Sequence, residues 1–324
     1  MVAPAPTAQV DAHTMQCMEV WGGFGVSNSG VQMPGIDAWV FSRPYADSHE
    51  GGDVHYVSSC GTGRISRVLL ADISGHGAQV ADLAKTLRSL MRRYVNFVDQ
   101  QKFVERLNAE FSSLTQMGLF ATAAIATYFG PSGTLSVSNA GHPRPLLYNT
   151  ARKSWRILTE EASKPPTGLY NLPLGLVDDT AYPSIDLKAM PGDVAIFYSD
   201  SLIEAPIGAG RLLGQEGLLD LARTLDTSSP ATLTSQLFET VQKRSGVDDL
   251  GDDVTILVLR PNETDAESPL GERLRAQLRF YAMVGRSFLP GGEAAPWPEM
   301  SKENILGEII PAFARSYGAH AIEF

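Results

Sequence analysis

Two cysteines, Cys17 and Cys60, are all that the 324 residues contain. That number excludes a disulfide framework and a four-cysteine zinc site, and it fits a reducing setting. Basic charge is also short, with 26 Lys and Arg against 36 Asp and Glu and a formal net charge of -10. Binding to nucleic acid draws on cations that displace counterions from phosphates, so no nucleic-acid partner is expected. No stretch approaches the ~18 uninterrupted apolar residues of a membrane span, and Met1 to Val10 has neither the basic start nor the apolar run of a secretion signal. The expectation is a soluble, cytoplasmic protein without a membrane partner. With 44% hydrophobic and 19% charged residues, and neither its 30 Gly nor its 20 Pro in excess, the chain should bury a core.

The length allows one large domain with an appendage or two smaller ones. Residues 1–35 are weakly patterned and rich in Gly, Ala and Ser, which suits an arm or an outer strand. From Ile36 the pattern sharpens. Ile36 to Ser42, Asp53 to Ser58 and Arg64 to Ile73 are strand candidates, rich in β-branched and aromatic residues and separated by Gly, Ser and Asp clusters. Past Gly77 the period changes: Val80, Leu83, Ala84, Leu87, Leu90, Met91 and Tyr94 share one helix face, with Asp82, Lys85, Arg88 and Arg92 on the other. A second amphipathic helix carries Phe103, Val104, Leu107, Phe111 and Leu114. Six strand candidates follow between Phe120 and Ser199, then helices over Gly214 to Leu225 and Ala231 to Arg244, then a last strand, Val254 to Leu259. This order lacks the strand-helix alternation of a doubly wound parallel sheet, so the fold class expected is α+β, with a mostly antiparallel β core and helices outside.

Pro261 to Pro269, with Glu263, Asp265 and Glu267, reads as a linker. Beyond it, helices are expected near Glu272 to Val284 and after Ser301, the latter interrupted at Pro311. So small a region has a marginal core alone and is expected to dock on the main body or on a second subunit. The chain therefore divides into an arm (1–35), a body (36–260) and a linker with a helical C-terminal extension (261–324).

Three aspartates are marked by position. Asp72 ends the run Val68-Leu69-Leu70-Ala71, Asp200 follows Val194 to Ser199, and Asp252 precedes Val254 to Leu259. If the third strand runs antiparallel to the other two, these residues meet at one sheet edge. Gathered carboxylates repel unless protonated or neutralised, and hard divalent cations favour oxygen ligands, so a two-metal site is the economical explanation. Asp53, after Gly51-Gly52, would add a ligand or hold a metal-bound water. The alternative is that these are solvated turn residues, since Asp is common in turns. A thiolate phosphatase would need C-x5-R, but six residues after Cys60 stands Ser66, with Arg67 one place too far. His76, between Gly75 and Gly77, is placed to act as a general acid or else to face solvent or cap the next helix. His142 reads as a turn-holding residue or a member of the site.

The same residues carry a family resemblance. In order come Gly51-Gly52-Asp53, Ala71-Asp72-Ile73-Ser74-Gly75-His76-Gly77, Phe120-Ala121-Thr122, Asn139-Ala140-Gly141-His142-Pro143 and Pro173-Leu174-Gly175. Pro191-Gly192-Asp193, Tyr198-Ser199-Asp200-Ser201-Leu202-Ile203-Glu204-Ala205 and Asp252-Asp253-Val254-Thr255 complete the set. Together they resemble the SpoIIE-like branch of the PPM-type metal-dependent serine/threonine phosphatases, over roughly Ile36 to Arg260. Relatives often have Asp, Lys and Gly where this chain has Tyr56, His76 and Ser201.

The resemblance implies a β-sandwich flanked by helices (α/β/β/α) and two Mn²⁺ or Mg²⁺ ions. It also implies hydrolysis of phosphoserine or phosphothreonine by direct attack of a metal-bridging hydroxide. Carried onto this sequence, Asp72 would bridge the ions, the Ile73 carbonyl would complete one shell, and Asp200 and Asp252 would be the other principal ligands. Asp53 and Asp253 would act directly or through water. The implied substrate is a phosphorylated signalling protein, an anti-sigma-factor antagonist of the STAS type in a partner-switching circuit. A catalytically weak phosphatase-like scaffold is the competing reading. A homodimer through the C-terminal helices is the expected association.

Overall fold

The structure, a computed structural model, describes residues 11–45, 51–75, 78–114, 118–159, 168–264 and 321–324, with single positions 271 and 278. In chain order come β1 (Asp11–Thr14), β2 (Val20–Gly23), β3 (Ser27–Met33), β4 (Ile36–Arg43), β5 (Asp53–Ser59) and β6 (Ile65–Ile73). Helices α1 (Ala78–Arg93) and α2 (Gln100–Leu114) follow, then β7 (Ala121–Phe129), β8 (Thr134–Ala140), β9 (Leu146–Asn149), β10 (Ser154–Ile157), β11 (Ile185–Lys188) and β12 (Val194–Tyr198). Helices α3 (Gly214–Ala222) and α4 (Pro230–Ser245), β13 (Val254–Pro261) and β14 (Ile322–Glu323) complete the described elements.

The strands form two sheets, ordered β1-β3-β4-β13-β12-β9-β10 and β14-β11-β8-β7-β6-β5-β2. Pairing is antiparallel except for β1 with β3 and β11 with β14. Strand alternation sorts the side chains into layers. Along β6, Leu69, Ala71 and Ile73 meet Leu87, Met91, Phe103, Leu107 and Phe111 of α1 and α2. The intervening Val68 and Leu70 face the other sheet, packing with Val40, Phe197 and Leu257. On the far side of that sheet, Ile196, Ile256 and Val258 bury Leu218, Leu233, Leu237 and Val241 of α3 and α4. The four layers are helices, sheet, sheet, helices, as the expected fold class requires.

One charged side chain breaks the apolar pattern under α1 and α2. Arg67 is buried, donates to Thr127 Oγ1 (2.8 Å) and to the Tyr94 and Phe97 carbonyls (3.2 and 2.5 Å), and stacks on Phe103 at 3.8 Å. It ties the α1–α2 connection to the sheet through the Tyr94 and Phe97 carbonyls.

Residues 11–33, expected as an arm or outer strand, supply β1, β2 and β3. The first two are outer strands, and β3 is hydrogen-bonded along its length to β4. The expected C-terminal helices lie outside the described residues except for Leu278, which is helical and exposed. At the chain's end, β14 pairs with β11 and Phe324 is buried between the sheets.

Candidate metal centre

One end of the sandwich collects the starts of β5, β7 and β13 and the finishes of β6, β8 and β12. Asp53 opens β5 and Asp72 lies one residue from the finish of β6; the antiparallel ladder places them directly opposite each other. In the facing sheet, β12 ends at Tyr198 and the chain enters a short 3-10 turn at Asp200–Leu202, while β13 begins just after Asp252 and Asp253. Because β12 and β13 are antiparallel, that finish and that start coincide in space.

The expectation that Asp72, Asp200 and Asp252 share one sheet edge is corrected. β6 pairs with β5 and β7, whereas β12 pairs with β13 and β9, so Asp72 belongs to the opposite sheet. The carboxylates meet across the gap between sheets.

Gly51 and Gly52 let the backbone pass through this gap. A Cβ on Gly51 would stand 2.5 Å from Asp253 Oδ2, and one on Gly52 would stand 3.3 Å from both Asp72 Oδ1 and the Ile73 carbonyl oxygen and 3.5 Å from Asp253 Oδ2. Asp253 is itself anchored: Tyr45 N donates to its Oδ1 (2.7 Å), and Gly52 N and Asp53 N donate to its Oδ2. Asp252 Oδ1 accepts from Asp253 N at 2.8 Å. Asp53, Asp72, Ile73, Asp200, Asp252 and Asp253 are thus brought to one mouth.

Burial pushes the Asp53 carboxyl well above the usual carboxylate range, and Asp72 and Asp253 add to it against the hydroxyls of Thr255 and Ser199. Asp72 is raised to about 6, first by burial and then by Asp200, Asp252 and Asp253. Asp200 is raised by burial and by Asp252. Among the described residues none of the five is ion-paired.

Among those residues, too, no group of three or more His, Cys, Asp or Glu side chains is arranged to hold an ion as it stands. The donor set nevertheless fits a hard divalent cation. It is all oxygen, it includes a main-chain carbonyl, the glycines leave the space a Cβ would fill, and Asp53 Oδ2 is buried without a hydrogen-bond partner.

Other candidates are placed differently. His76 lies outside the described residues. Tyr56 turns toward α1, where its hydroxyl donates to the Ala84 carbonyl at 2.8 Å, so its departure from the family pattern is spent on packing. Ser201 is buried, its hydroxyl 3.2 Å from that of Ser199. Cys60 lies beyond the far end of β5 and its sulfur accepts from Ile65 N. Ser199 and Thr255 form a floor under the mouth that sequence reasoning missed: Ser199 Oγ accepts from Thr255 N (2.8 Å), and Thr255 Oγ1 and Ser42 Oγ lie 3.1 Å apart. Their signal was present, since both hydroxyls fall inside the quoted motifs.

Beside Asp252 opens a small cleft whose lining includes Arg43, Tyr45, Phe238, Asp248 and Leu250; Arg43 is the one cation among its lining residues.

The family model of stage II sporulation protein E (SpoIIE) matches residues 63–262, more than half of the chain. That span contains Asp72, Asp200, Asp252 and Asp253 and leaves Asp53 outside. Among solved structures, the chain is similar to the PP2C phosphatase domain with a fragment of the regulatory domain of SpoIIE from Bacillus subtilis. Identity is 16% and TM-score 0.58, over 71% of this chain and 64% of that one, so the match spans less than two thirds of that relative. It is similar to the RsbU and RsbW domains of a Mycobacterium tuberculosis protein (22% identity, TM-score 0.57, 89% and 77% covered). A third likeness is to the SiaA PP2C domain of Pseudomonas aeruginosa (17%, TM-score 0.54, 69% and 84%). At these identities the likenesses show the fold.

Proposed function

Because the chain belongs to the SpoIIE family of PPM-type serine/threonine phosphatase domains, we propose that it hydrolyses phosphoserine or phosphothreonine on a signalling phosphoprotein with the help of two Mn²⁺ or Mg²⁺ ions. The observation that carries the reading is the opposition of Asp53 and Asp72 from one sheet to Asp200, Asp252 and Asp253 from the other, without a basic partner among the described residues. A purely structural mouth has no use for so much like charge.

Asp53, Asp72, Asp200, Asp252, Asp253 and the Ile73 carbonyl would hold the cations. Bound there, such ions supply Lewis acidity that activates water and offsets phosphoryl charge. The chain's own residues do the rest. Asp72, opposed by Asp53, presents oxygen toward the facing sheet. The main-chain donors of Tyr45, Gly52 and Asp53 keep Asp253 aimed at the same space. Arg43 offers a guanidinium to the phosphoryl group at the cleft, a geometry suited to phosphate oxygens. Direct attack by water, without a phosphoenzyme, fits the position of Cys60, buried beyond the opposite end of β5. His76 is kept as a general-acid proposal on the sequence alone.

A phosphorylated STAS-type protein as substrate, partner switching, a cytoplasmic setting and a homodimer through the C-terminal region extend the family reading to this chain. So does the division into residues 1–35, 36–260 and 261–324. Among the described residues no helix is long and apolar enough to cross a membrane.

The test is phosphate release from a phosphoserine peptide. It should require Mn²⁺ or Mg²⁺, stop with chelator, and fall by at least about a hundredfold in Asp72→Ala and Asp200→Ala. Metal-independent turnover, or full activity in both variants, would sink the reading. Stoichiometric metal binding without turnover of any phosphoprotein would move the weight to the scaffold.

A further inference from the structure

The inter-sheet face of the second sheet carries a polar row at the mouth. Asp53 pairs with Asp72 and Asp72 with Thr122 across β5, β6 and β7, so the three side chains stand on one face. His142 joins the end of this row from just beyond β8. Its Nδ1 lies 2.9 Å from Thr122 Oγ1, and its ring is buried.

The local sequence fixes that position. Gly141 turns the chain with φ +71°, and a Cβ there would stand 2.9 Å from Pro173 Cγ, so the turn needs glycine on two counts. Asn139 closes it with reciprocal bonds: His142 N donates to Asn139 Oδ1 and Asn139 Nδ2 donates to the His142 carbonyl, both at 2.8 Å. The imidazole therefore enters the sandwich as a held group. Its Nε2 is buried without a hydrogen-bond partner, although the Tyr198 main chain lies near enough to favour the protonated ring slightly. A residue kept for packing alone would bury carbon there, because an unpartnered buried nitrogen loses its hydration without return.

We propose that His142 is a positioning residue of the metal centre: it orients the Thr122 hydroxyl, which in turn fixes the carboxylate of Asp72 for cation binding. This rests on the phosphatase reading of the mouth. The role requires one tautomer. With the ring proton on Nδ1, His142 donates to Thr122 Oγ1 and the hydroxyl's own proton is left for Asp72. With the proton on Nε2, the Thr122 hydroxyl is spent on His142. Burial lowers the ring's pKa to about 4, so at neutral pH it acts as a neutral hydrogen-bonding group.

The experiment is calorimetric titration of Mn²⁺ into the full chain and its variants. His142→Ala and Thr122→Val are each expected to weaken binding by about tenfold, with the double variant no weaker than the worse single and His142→Gln restoring part of the loss. Nitrogen-15 NMR of the histidines should show the His142 proton on Nδ1. An unchanged Mn²⁺ affinity in folded Thr122→Val, losses that multiply in the double variant, or a proton on Nε2 would overturn the inference. Thr122→Val keeps the side-chain shape and carries the test if His142→Ala does not fold. Absence of Mn²⁺ binding by the wild type would instead bring down the phosphatase reading, and this inference with it.

Discussion

Asp53 and Asp72 face each other directly across the β5–β6 ladder, two carboxylates on the face that looks into the sandwich. Like charges directly opposite one another weaken a sheet, and here burial compounds the effect. In chelator at pH 7.5, Asp72→Asn should therefore be more stable than the wild type by about 1 kcal/mol at low salt and by less at high salt. Urea unfolding reads this directly. Added Mn²⁺ should reverse the order, stabilising the wild type and not the variant.

Gly51→Ala isolates the steric part of the site. The new Cβ would meet the Asp253 carboxylate, which main-chain donors hold in place. Expected is a loss of Mn²⁺ affinity of about tenfold or more with an unchanged circular dichroism spectrum. A variant that binds Mn²⁺ like the wild type would show that Asp253 is not needed where it stands.

His142 gives a pH dependence of known sign. The unfolded imidazole takes up a proton near 6.5 and the folded one near 4, so between those values the unfolded chain binds more protons and stability rises with pH. Acidification across that window should remove up to about 3 kcal/mol from the wild type relative to His142→Gln. The check is the difference between the two unfolding curves from pH 7 to 4.5.

Arg43 separates substrate binding from metal binding. Arg43→Ala should raise KM for a phosphoserine peptide by about tenfold and leave Mn²⁺ affinity alone, since the guanidinium lines the cleft beside Asp252 and is in no ion pair among the described residues. Equal losses in both would place it in the metal centre instead.

How legible the molecule is in its sequence depends on the range of the interaction that shapes each part. α1 was readable because Val80, Leu83, Leu87 and Leu90 repeat at the helical period, and strands β4 to β13 because alternation and turn residues are local signals. β2 was not, since Val20-Trp21-Gly22-Gly23 is a strand only through its pairing with Ser58 to His55. Sheet membership failed for the same reason. Asp72 and Asp200 each end a strand, and nothing local says that the two strands belong to different sheets. The Thr122–His142 contact depends on register across three strands and on the αL turn at Gly141, so the motifs contained both residues without showing that they touch.

The most direct measurement is anomalous diffraction at the manganese edge from crystals of the full chain grown with Mn²⁺. Two peaks are predicted, about 3.5–4 Å apart, in the gap between Asp53 and Asp72 on one sheet and Asp200, Asp252 and Asp253 on the other. A saturated crystal with no peak in that gap, or with manganese bound only elsewhere, would contradict the assignment of the mouth as a metal centre.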